Sequence, residues 1–444
     1  MDPFVVIGGD AAGMSAASKA RREAPDREIV VFERGEWVSY GACGLPYYVK
    51  GEIASLDDLV AVSADRFRDE RDIDLRTESE VVAIDTAAQT VTVESEGDRY
   101  DQSYGDLLIA TGASAIEPPI DGIDRDDVLS LHDLPDGRAI RERLESGAVE
   151  RVAVVGGGYV GVEMAEAFDG QDCTVDLYEM REHVLEPFGP TIATQVEKHL
   201  REQGIGLHLG TTVEAIDAGP SVVADERRAV DLVLVAAGVT PNAALAADAG
   251  IAIGETGAIA TDRLGRTDTD RVYAAGDCAE ADHTVTGNPT YVPLALTANR
   301  AGRAIGTTVA GDPTPVGPTA GTAVLKAFDL EVARTGVTVP ERARAAGFDP
   351  ASITIDGASR AGYYPGGSKV TIELWGDRAS GRVLGASMVG REGVAKRIDP
   401  VATALHTDLT ATELSRLDLS YAPPFGPTWD PVLTAGKVLA SALE

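Results

Sequence analysis

The sequence predicts an α/β fold in which two similar strand–turn–helix–strand units precede a mixed α+β C-terminal domain. Three observations predict it. The apolar strand Phe4 to Ile7 runs into a glycine-rich turn and a helix, and Val152 to Val155 begins the same pattern again. A Pro/Gly-rich linker at 311–318 is followed by strand patterns of a different spacing. Strands that alternate with helices form parallel sheets, so both units are predicted to be Rossmann-like.

The first unit contains Gly8-Gly9-Asp10-Ala11-Ala12-Gly13, and its second strand ends on Glu33. Such a turn brings backbone N–H groups and a helix N-terminus to a pyrophosphate, and the acid binds the ribose hydroxyls. Asp10 stands where G-x-G-x-x-G has its second glycine, and a carboxylate is awkward beside a pyrophosphate. The pattern therefore predicts a dinucleotide site, with an ordinary βαβ turn as the alternative.

The second unit carries a complete G-x-G-x-x-G, Gly156-Gly157-Gly158-Tyr159-Val160-Gly161. The strand after its helix ends on Glu179, so motif and context agree on a second dinucleotide site. Glu179 favours a free ribose 2′-hydroxyl and hence NADH. Arg181 and His183 lie just beyond and could bind a 2′-phosphate, so NADPH stays open.

Three further buried strands end on glycine: one on Thr111-Gly112, one on Gly238 and one on Gly276-Asp277. In parallel sheets, ligands bind at this carboxyl edge. A helix that starts near Pro293 could direct its N-terminus at the same ligand. We predict one discontinuous domain over 1–117 and 243–315, a second over 118–242 and a C-terminal domain over 319–444.

The segment Ser39 to Tyr48 holds Cys43 between two glycines, with aromatic residues on both sides. Residues from Gly44 onward can form a helix, with Pro46 in its first turn. A thiol at a helix N-terminus has a lowered pKa, which predicts a reactive thiolate, with a small buried cysteine as the alternative. Cys173 and Cys278 are predicted to be structural, and the sequence contains no His/Cys spacing that would predict a metal site.

Composition limits the location and the partners. The chain has 444 residues with a net charge of −32, and only seven of its 39 basic residues are Lys. Such an acidic surface disfavours nucleic acid and anionic membranes and fits adaptation to high salt. Three cysteines, no long apolar run and a first strand at Phe4 predict no signal peptide and a cytoplasmic location.

Taken together, both glycine turns, Thr111-Gly112, Ala274-Ala275-Gly276-Asp277 and the mixed C-terminal domain resemble the flavin-dependent pyridine nucleotide–disulfide oxidoreductases over essentially the whole chain. This resemblance implies FAD on the first unit and Asp277, NADH or NADPH on the second unit, and a homodimer formed through the C-terminal domain. The cofactor-binding residues that it implies are Gly8, Gly9, Ala12, Gly13, Glu33, Arg34, Ser39, Val81, Thr111, Gly112, Gly156, Gly158, Tyr159, Val160, Gly161, Glu179, Gly238, Gly276, Asp277, Leu294, Ala295 and Thr297.

Cysteine spacing indicates the subgroup. A C-x-x-x-x-C pair is absent, because the positions five residues from Cys43 are Val38 and Tyr48. Cys-Gly-Leu-Pro-Tyr and the later Tyr-Ala-Pro-Pro-Phe resemble the coenzyme A-disulfide reductases and their NADH oxidase and peroxidase relatives. Those oxidases usually carry a His in the first glycine turn, where this chain has Ala11 and Ala12. This departure favours a thiol substrate over a peroxide.

The resemblance implies that Cys43 cycles through a mixed disulfide with coenzyme A and reduces a low-molecular-weight disulfide. Its other implied catalytic residues are Tyr421, Tyr363 and Tyr364 of the partner subunit, with plain interface packing as the alternative. The implied substrate-binding residues are Ser15, Lys19, Arg22, Ser39, Arg71, Asn299, Arg303, Tyr421 and Trp429, where solvated surface charge is the alternative for the cations. An oxygen-reducing NADH oxidase, a polysulfide or CoA-persulfide reductase, and an electron-transfer flavoprotein or redox sensor are the competing functions.

Overall fold

A computed structural model describes residues 2–444. A five-stranded sheet forms the first unit, and each neighbouring pair of its strands is parallel. In spatial order the strands are Val272–Ala274, Asp106–Ile109, Phe4–Ile7, Ile29–Phe32 and Asp74–Arg76. Because all five strands run the same way, Gly8, Glu33, Thr111 and Asp277 follow strand ends at one edge of the sheet.

Two helices, Ala11–Glu23 and Ala295–Val309, pack closely against each other beside this sheet. A Cβ on Gly302 would lie 2.1 Å from the backbone oxygen of Ala12, so only glycine allows this approach. The same domain also holds an antiparallel sheet and several short elements. They are Ser79–Asp85, Thr90–Ser95, Asp98–Ser103, Ala281–Asp282, Pro289–Thr290, Leu45–Lys50, Ala244–Asp248 and the helical turns Ala42–Gly44, Leu56–Leu59 and Arg66–Glu70.

The second unit repeats the first. Its five parallel strands, in spatial order, are Gly206–Leu209, Thr174–Glu179, Arg151–Val155, Leu232–Val235 and Val128–Ser130. The accompanying elements are the helices Leu134–Glu145, Tyr159–Asp169 and Pro190–Glu202, the helical turn Glu186–Phe188, the small sheet Ala215–Asp217, Ser221–Val223, Arg227–Ala229 and the crossing pair Ala113–Ala115 and Val239–Pro241. Gly156, Glu179 and Gly238 therefore come together at one sheet edge, as their counterparts do in the first unit.

The C-terminal domain is an antiparallel sheet with helices packed on it. The strands, in spatial order, are Ala323–Ala327, Leu330–Gly336, Val383–Gly390, Lys369–Asp377 and Pro350–Ala358, and the helices are Pro340–Ala345, Val394–His406, Ala411–Leu414 and Pro431–Leu443. The predicted fold class, two Rossmann-like units and an α+β domain, is confirmed. The exact domain boundaries stay a prediction. Across residues 2–444, no helix combines the length and the apolarity needed to cross a membrane.

The helix Leu45–Lys50, here called the cysteine helix, packs against the second unit although it belongs to the first in sequence. Leu45, Tyr48 and Val49 are buried in one cluster with residues such as Ile140 and Phe168. The segment that carries Cys43 is therefore shared between the two nucleotide units.

Candidate functional site

The first glycine turn is shaped by two glycines that no other residue could replace without a shift. Gly8 has φ +108°, and a Cβ there would lie 2.1 Å from the backbone oxygen of Ala110. A Cβ on Gly13 would lie 1.9 Å from the oxygen of Gly8. The chain can therefore turn sharply and start the helix at Ala11, which directs free backbone N–H groups into the turn.

The second glycine turn has the same construction. Gly156 has φ +115°, with a Cβ position 2.3 Å from the oxygen of Ala236, and Gly161 would meet the oxygen of Gly156 at 1.9 Å. Gly158 differs, because a Cβ there would meet nothing within 4 Å. The protein itself leaves this space open, as expected where a pyrophosphate approaches the backbone.

The acid that ends the second strand of each unit is held in the same way. Glu33 accepts hydrogen bonds from the N–H of Gly9 at 2.7 Å and of Gly35 at 2.8 Å. Glu179 accepts them from Gly157 at 2.7 Å and Arg181 at 2.8 Å. Both carboxylates thus stand directly beside their glycine turns, which is the position from which an acid binds the ribose in dinucleotide folds.

Asp10 occupies in the first turn the position that Gly158 occupies in the second. The Oδ1 atom of Asp10 accepts a hydrogen bond from the N–H of Tyr40 at 3.1 Å. Burial raises the pKa of Asp10 to about 6, and the nearby charges of Glu33 and Asp277 act in the same direction. A second anionic group, the pyrophosphate, would add to this repulsion.

Asp277 follows its strand at the same sheet edge, and burial raises its pKa to about 6. The charge of Asp277 also contributes to raising the pKa of Tyr291, after burial itself. The Tyr291 hydroxyl is buried with no hydrogen-bond partner in residues 2–444. A buried polar atom of this kind needs a ligand or water. Together with the two-glycine cradle and Glu33, it fits FAD, which would offer polar ring atoms, ribose and pyrophosphate to this edge.

The other predicted cofactor residues have less distinctive surroundings. Ser39 has a left-handed backbone, φ +50°, and its N–H donates to the oxygen of Gly9 at 3.0 Å. In the first unit, Gly112 and Gly276 have positive φ, Ala12 and Val81 are buried, and Arg34 is exposed. Leu294 and Ala295 flank the start of a helix, and the Thr297 hydroxyl lies 3.3 Å from that of Thr319. In the second unit, Gly238 has positive φ, and Tyr159 and Val160 begin the helix after the glycine turn.

Cys43 lies in the turn Ala42–Gly44, directly before the cysteine helix, and is exposed, whereas Cys173 and Cys278 are buried. The predicted lowering of its pKa is wrong. Desolvation by the surrounding protein raises the pKa of the Cys43 thiol, and the charges of Glu163 and Asp277 raise it further. The helix N-terminus is outweighed because desolvation and nearby carboxylates both disfavour a thiolate.

Glu163 is a functional candidate that the sequence did not indicate. It lies on the helix Tyr159–Asp169, and its Oε1 atom accepts a hydrogen bond from the Tyr47 hydroxyl at 3.2 Å. Burial raises the pKa of Glu163 to about 7. No spacing in the sequence connects Glu163 with Cys43, because the charge of Glu163 acts on Cys43 only when the cysteine helix packs on the second unit.

The predicted tyrosines lie together on the surface of the C-terminal domain. The hydroxyls of Tyr363 and Tyr421 are 2.6 Å apart. Tyr364 and Trp429 are also exposed, as is Phe425, so aromatic side chains form a patch here. Exposed aromatic clusters are typical of interfaces, but the catalytic role of these tyrosines stays a prediction.

The predicted substrate-binding residues form one joined pair and several separate cations. Ser15 donates to the Oδ1 atom of Asn299 at 2.6 Å, which links the two packed helices. Lys19 is already paired with Glu23, and Arg71 donates to the Ser18 hydroxyl at 2.9 Å. Arg22 and Arg303 are exposed. Their roles stay predictions. In residues 2–444, no three His, Cys, Asp or Glu side chains lie close enough to hold a metal ion.

Comparison with known proteins identifies the family. The model of the pyridine nucleotide-disulphide oxidoreductases matches residues 2–302, and that of their dimerisation domain matches residues 322–431. The chain is 40% identical over 442 residues to the CoA-dependent NAD(P)H sulfur oxidoreductase of Pyrococcus abyssi, which covers 98% of this chain and 97% of that protein. It is 28% identical over 429 residues to the coenzyme A disulfide reductase of Staphylococcus haemolyticus, covering 96% of each.

A solved structure supports the same family assignment. The NAD-dependent persulfide reductase from A. fulgidus superposes with a TM-score of 0.96 at 38% identity, over 99% of this chain and 83% of that chain. The chain therefore belongs to the FAD- and NAD(P)H-dependent pyridine nucleotide–disulphide oxidoreductases, with the family's dimerisation domain at its C-terminal side.

Proposed function

We propose that this enzyme uses Cys43 and electrons from NADH to cleave a sulfur–sulfur bond in a coenzyme A-linked substrate. The observation that carries the proposal is the single exposed thiol, which lies close enough to Asp277 and Asp10 at the first sheet edge for their charges to act on it. Cys173 and Cys278 are buried, and neither forms a disulfide with Cys43. The second sulfur of the redox pair then has to come from the substrate.

The chemistry balances with one cysteine. The Cys43 thiolate attacks one sulfur of the substrate, the sulfur–sulfur bond breaks, and the leaving sulfur takes up a proton while a mixed disulfide forms. Two electrons and one proton from NADH, with one further proton from solvent, return the mixed disulfide to two thiols. Bound FAD supplies the two-electron transfer between nicotinamide and sulfur. Because the pKa of Cys43 is raised, the attack is expected to accelerate as the pH rises above neutral.

Two substrates of this chemical class compete. Coenzyme A disulfide is the one that the Cys-Gly-Leu-Pro-Tyr motif suggests. A CoA persulfide or polysulfide is favoured by similarity, since the CoA-dependent sulfur oxidoreductase is 40% identical and the CoA disulfide reductase is 28% identical. We therefore rank the persulfide or polysulfide first and the disulfide second.

We propose NADH rather than NADPH as the preferred reductant. The Glu179 carboxylate beside the second glycine turn can accept hydrogen bonds from the ribose hydroxyls, and it would repel a 2′-phosphate. Arg181 pairs with Glu186 at 3.1 Å, and His183 pairs with Glu197 at 2.9 Å. Both candidate phosphate ligands thus already have acidic partners.

We also propose that the enzyme is a homodimer of the cytoplasm. The exposed aromatic patch around Tyr363 and Tyr421 would then lie in the interface and supply the tyrosine hydroxyls to the partner's Cys43 site. The pair of hydroxyls 2.6 Å apart could pass a proton to a leaving thiolate. A chain with three free cysteines suits a reducing compartment.

The test is anaerobic oxidation of NADH and NADPH by the FAD-loaded enzyme in high salt. CoA persulfide, polysulfide, CoA disulfide and glutathione disulfide are offered in turn. We expect fast turnover with the CoA-linked substrates, a higher kcat/KM for NADH and little turnover with glutathione disulfide. Turnover that appears only after oxygen is admitted would contradict the proposal and identify an NADH oxidase.

Asp10 gives a separate prediction about the flavin. The charge of Asp10 appears as the pH rises through about 6, so FAD affinity is expected to fall over that range and to recover in high salt. The variant D10G is expected to bind FAD about tenfold more tightly at pH 7.5 and low salt, because one repulsion is removed. Flavin fluorescence during dilution measures its release.

The matched control for this experiment is D26N, which changes an exposed aspartate after the same helix. D26N should release FAD as the unmodified protein does. Equal FAD release by D10G and the unmodified protein at all salt concentrations would show that Asp10 does not act on the flavin.

A further inference from the structure

We propose that Arg141 and Glu166, two residues of the second nucleotide unit, are positioning residues for Cys43. The inference rests on the proposed reactive role of Cys43 and adds to it the groups that hold this cysteine in place. Neither residue belongs to a glycine turn, to the sheet edges or to the aromatic patch.

Cys43 lies at a crossing between the two units. On its N-terminal side the chain is tied to the first glycine turn, where the N–H of Ser39 donates to the backbone oxygen of Gly9 at 3.0 Å and the N–H of Tyr40 donates to the Oδ1 atom of Asp10 at 3.1 Å. On its C-terminal side the cysteine helix packs into the core of the second unit. The position of the Cys43 sulfur therefore depends on how firmly the chain segments before and after it are held.

Arg141 holds the far end of the cysteine helix. Its Nη1 atom donates to the backbone oxygens of Tyr48 at 3.3 Å, Ile53 at 3.2 Å and Ala54 at 3.1 Å. Its guanidinium also lies 4.5 Å from the centre of the Tyr48 ring. The Tyr48 oxygen belongs to the last turn of the helix, and Ile53 and Ala54 lie in the segment that follows it. A cation at the C-terminal end of a helix stabilises that end, and here it comes from a different unit of the chain.

Glu166 holds the same helix from another direction and adds the C-terminal domain. It is buried, and its carboxylate accepts from the Lys50 ammonium at 2.8 Å and from the N–H of Phe328 at 2.6 Å. It also contacts the ammonium of Lys326. Lys50 and Lys326, two of the chain's seven lysines, thus pair with one carboxylate, which connects the cysteine helix, the second unit and the C-terminal domain. A buried acid with this many partners is costly to disrupt.

The helix that carries Glu166 begins at the second glycine turn and also carries Glu163, the partner of Tyr47. The nucleotide-binding turn and the Cys43 segment are therefore connected through one rigid helix. Small displacements of a reacting group lower the rate of a reaction strongly, so loosening this connection should affect the sulfur chemistry first.

The test compares R141M and E166Q with the control R138Q in the FAD-loaded enzyme. Arg138 lies on the same helix as Arg141 but is exposed and only approaches Glu36 at 3.9 Å. Three quantities are measured: reduction of a dye by NADH, reduction of the sulfur substrate, and the rate of Cys43 alkylation by iodoacetamide as a function of pH.

We expect R141M and E166Q to lower kcat for the sulfur substrate about tenfold or more while dye reduction stays within about twofold. The pH midpoint of Cys43 alkylation should shift in both, R141K should recover part of the loss, and R138Q should match the unmodified enzyme.

Two results would overturn the inference. One is an unchanged sulfur kcat and alkylation profile in both variants. The other is a parallel loss of dye and sulfur reduction, which indicates a general structural role. Failure of the proposed function looks different, because C43S would then keep its sulfur activity while the alkylation result for Arg141 and Glu166 stands by itself.

Discussion

Replacement of Cys43 by serine is expected to abolish reduction of the sulfur substrate, by about a thousandfold or more, while NADH still reduces a dye acceptor. The sulfur is the only exposed thiol among residues 2–444, and a serine hydroxyl cannot form the mixed disulfide. The residues proposed to bind the nucleotide and the flavin are others at the sheet edges, so electron transfer to a dye should continue. Anaerobic assays with both acceptors on the same preparation measure the two activities.

The control for this prediction is C173S, which changes a buried thiol outside the site and should keep both activities. Sulfur reduction that persists in C43S would exclude the single-cysteine mechanism. Loss of dye reduction as well would mean that Cys43 is needed for an earlier step or for the fold, and would favour an electron-transfer role for the protein.

The second large effect is expected from G158D, which places in the second turn the residue that the first turn carries naturally. A Cβ at this position meets nothing within 4 Å, so a side chain can start there without a packing clash at its first atom. The new carboxylate would project into the space left for the NADH pyrophosphate and repel it. We expect KM for NADH to rise about a hundredfold at low salt with little change in Tm.

Salt provides the internal control for G158D. An electrostatic effect should shrink as salt increases, whereas a steric one should persist. Steady-state kinetics in rising salt, together with thermal unfolding, separate the two. An unchanged KM would mean that the nucleotide does not approach the backbone at Gly158.

The surroundings of Asp10 explain how the first turn tolerates an acid where the second turn has Gly158. Its carboxylate accepts from the N–H of Tyr40, which draws the charge toward the protein. Burial beside Glu33 and Asp277 favours its neutral form up to about pH 6. High salt would screen the charge that remains above that pH. Asp10, which departs from the G-x-G-x-x-G motif, is therefore expected to tune flavin affinity rather than to prevent flavin binding.

Most of the architecture could be predicted from local patterns. The glycines at 8, 13, 156 and 161 have steric reasons that depend on neighbours within the same strand–turn–helix unit and the adjacent strand. The acids Glu33 and Glu179 follow strands whose parallel pairing puts them beside those turns. Periodic apolar strands and regular spacing are sufficient to predict such units because each is formed by a short stretch of chain.

The state of the cysteine could not be predicted in this way. The small neighbours of Cys43 and its position before a helix identify it as a candidate, but they predict a pKa shift in the wrong direction. Glu163, Asp277 and Asp10 raise it, and all three are distant from Cys43 in sequence. Long-range electrostatics depends on which segments pack together, and no local pattern encodes that.

The sequence by itself determined the two nucleotide units, the α+β domain, the single candidate thiol and the acids at the strand ends. Only the tertiary structure decided that the cysteine helix packs on the second unit. That packing brings Glu163 to Tyr47, Glu166 to Lys50 and Arg141 to the end of the helix. The physical reason is that turns and strands are governed by nearby residues, whereas the environment of a reactive group is the sum of contacts from every segment folded around it.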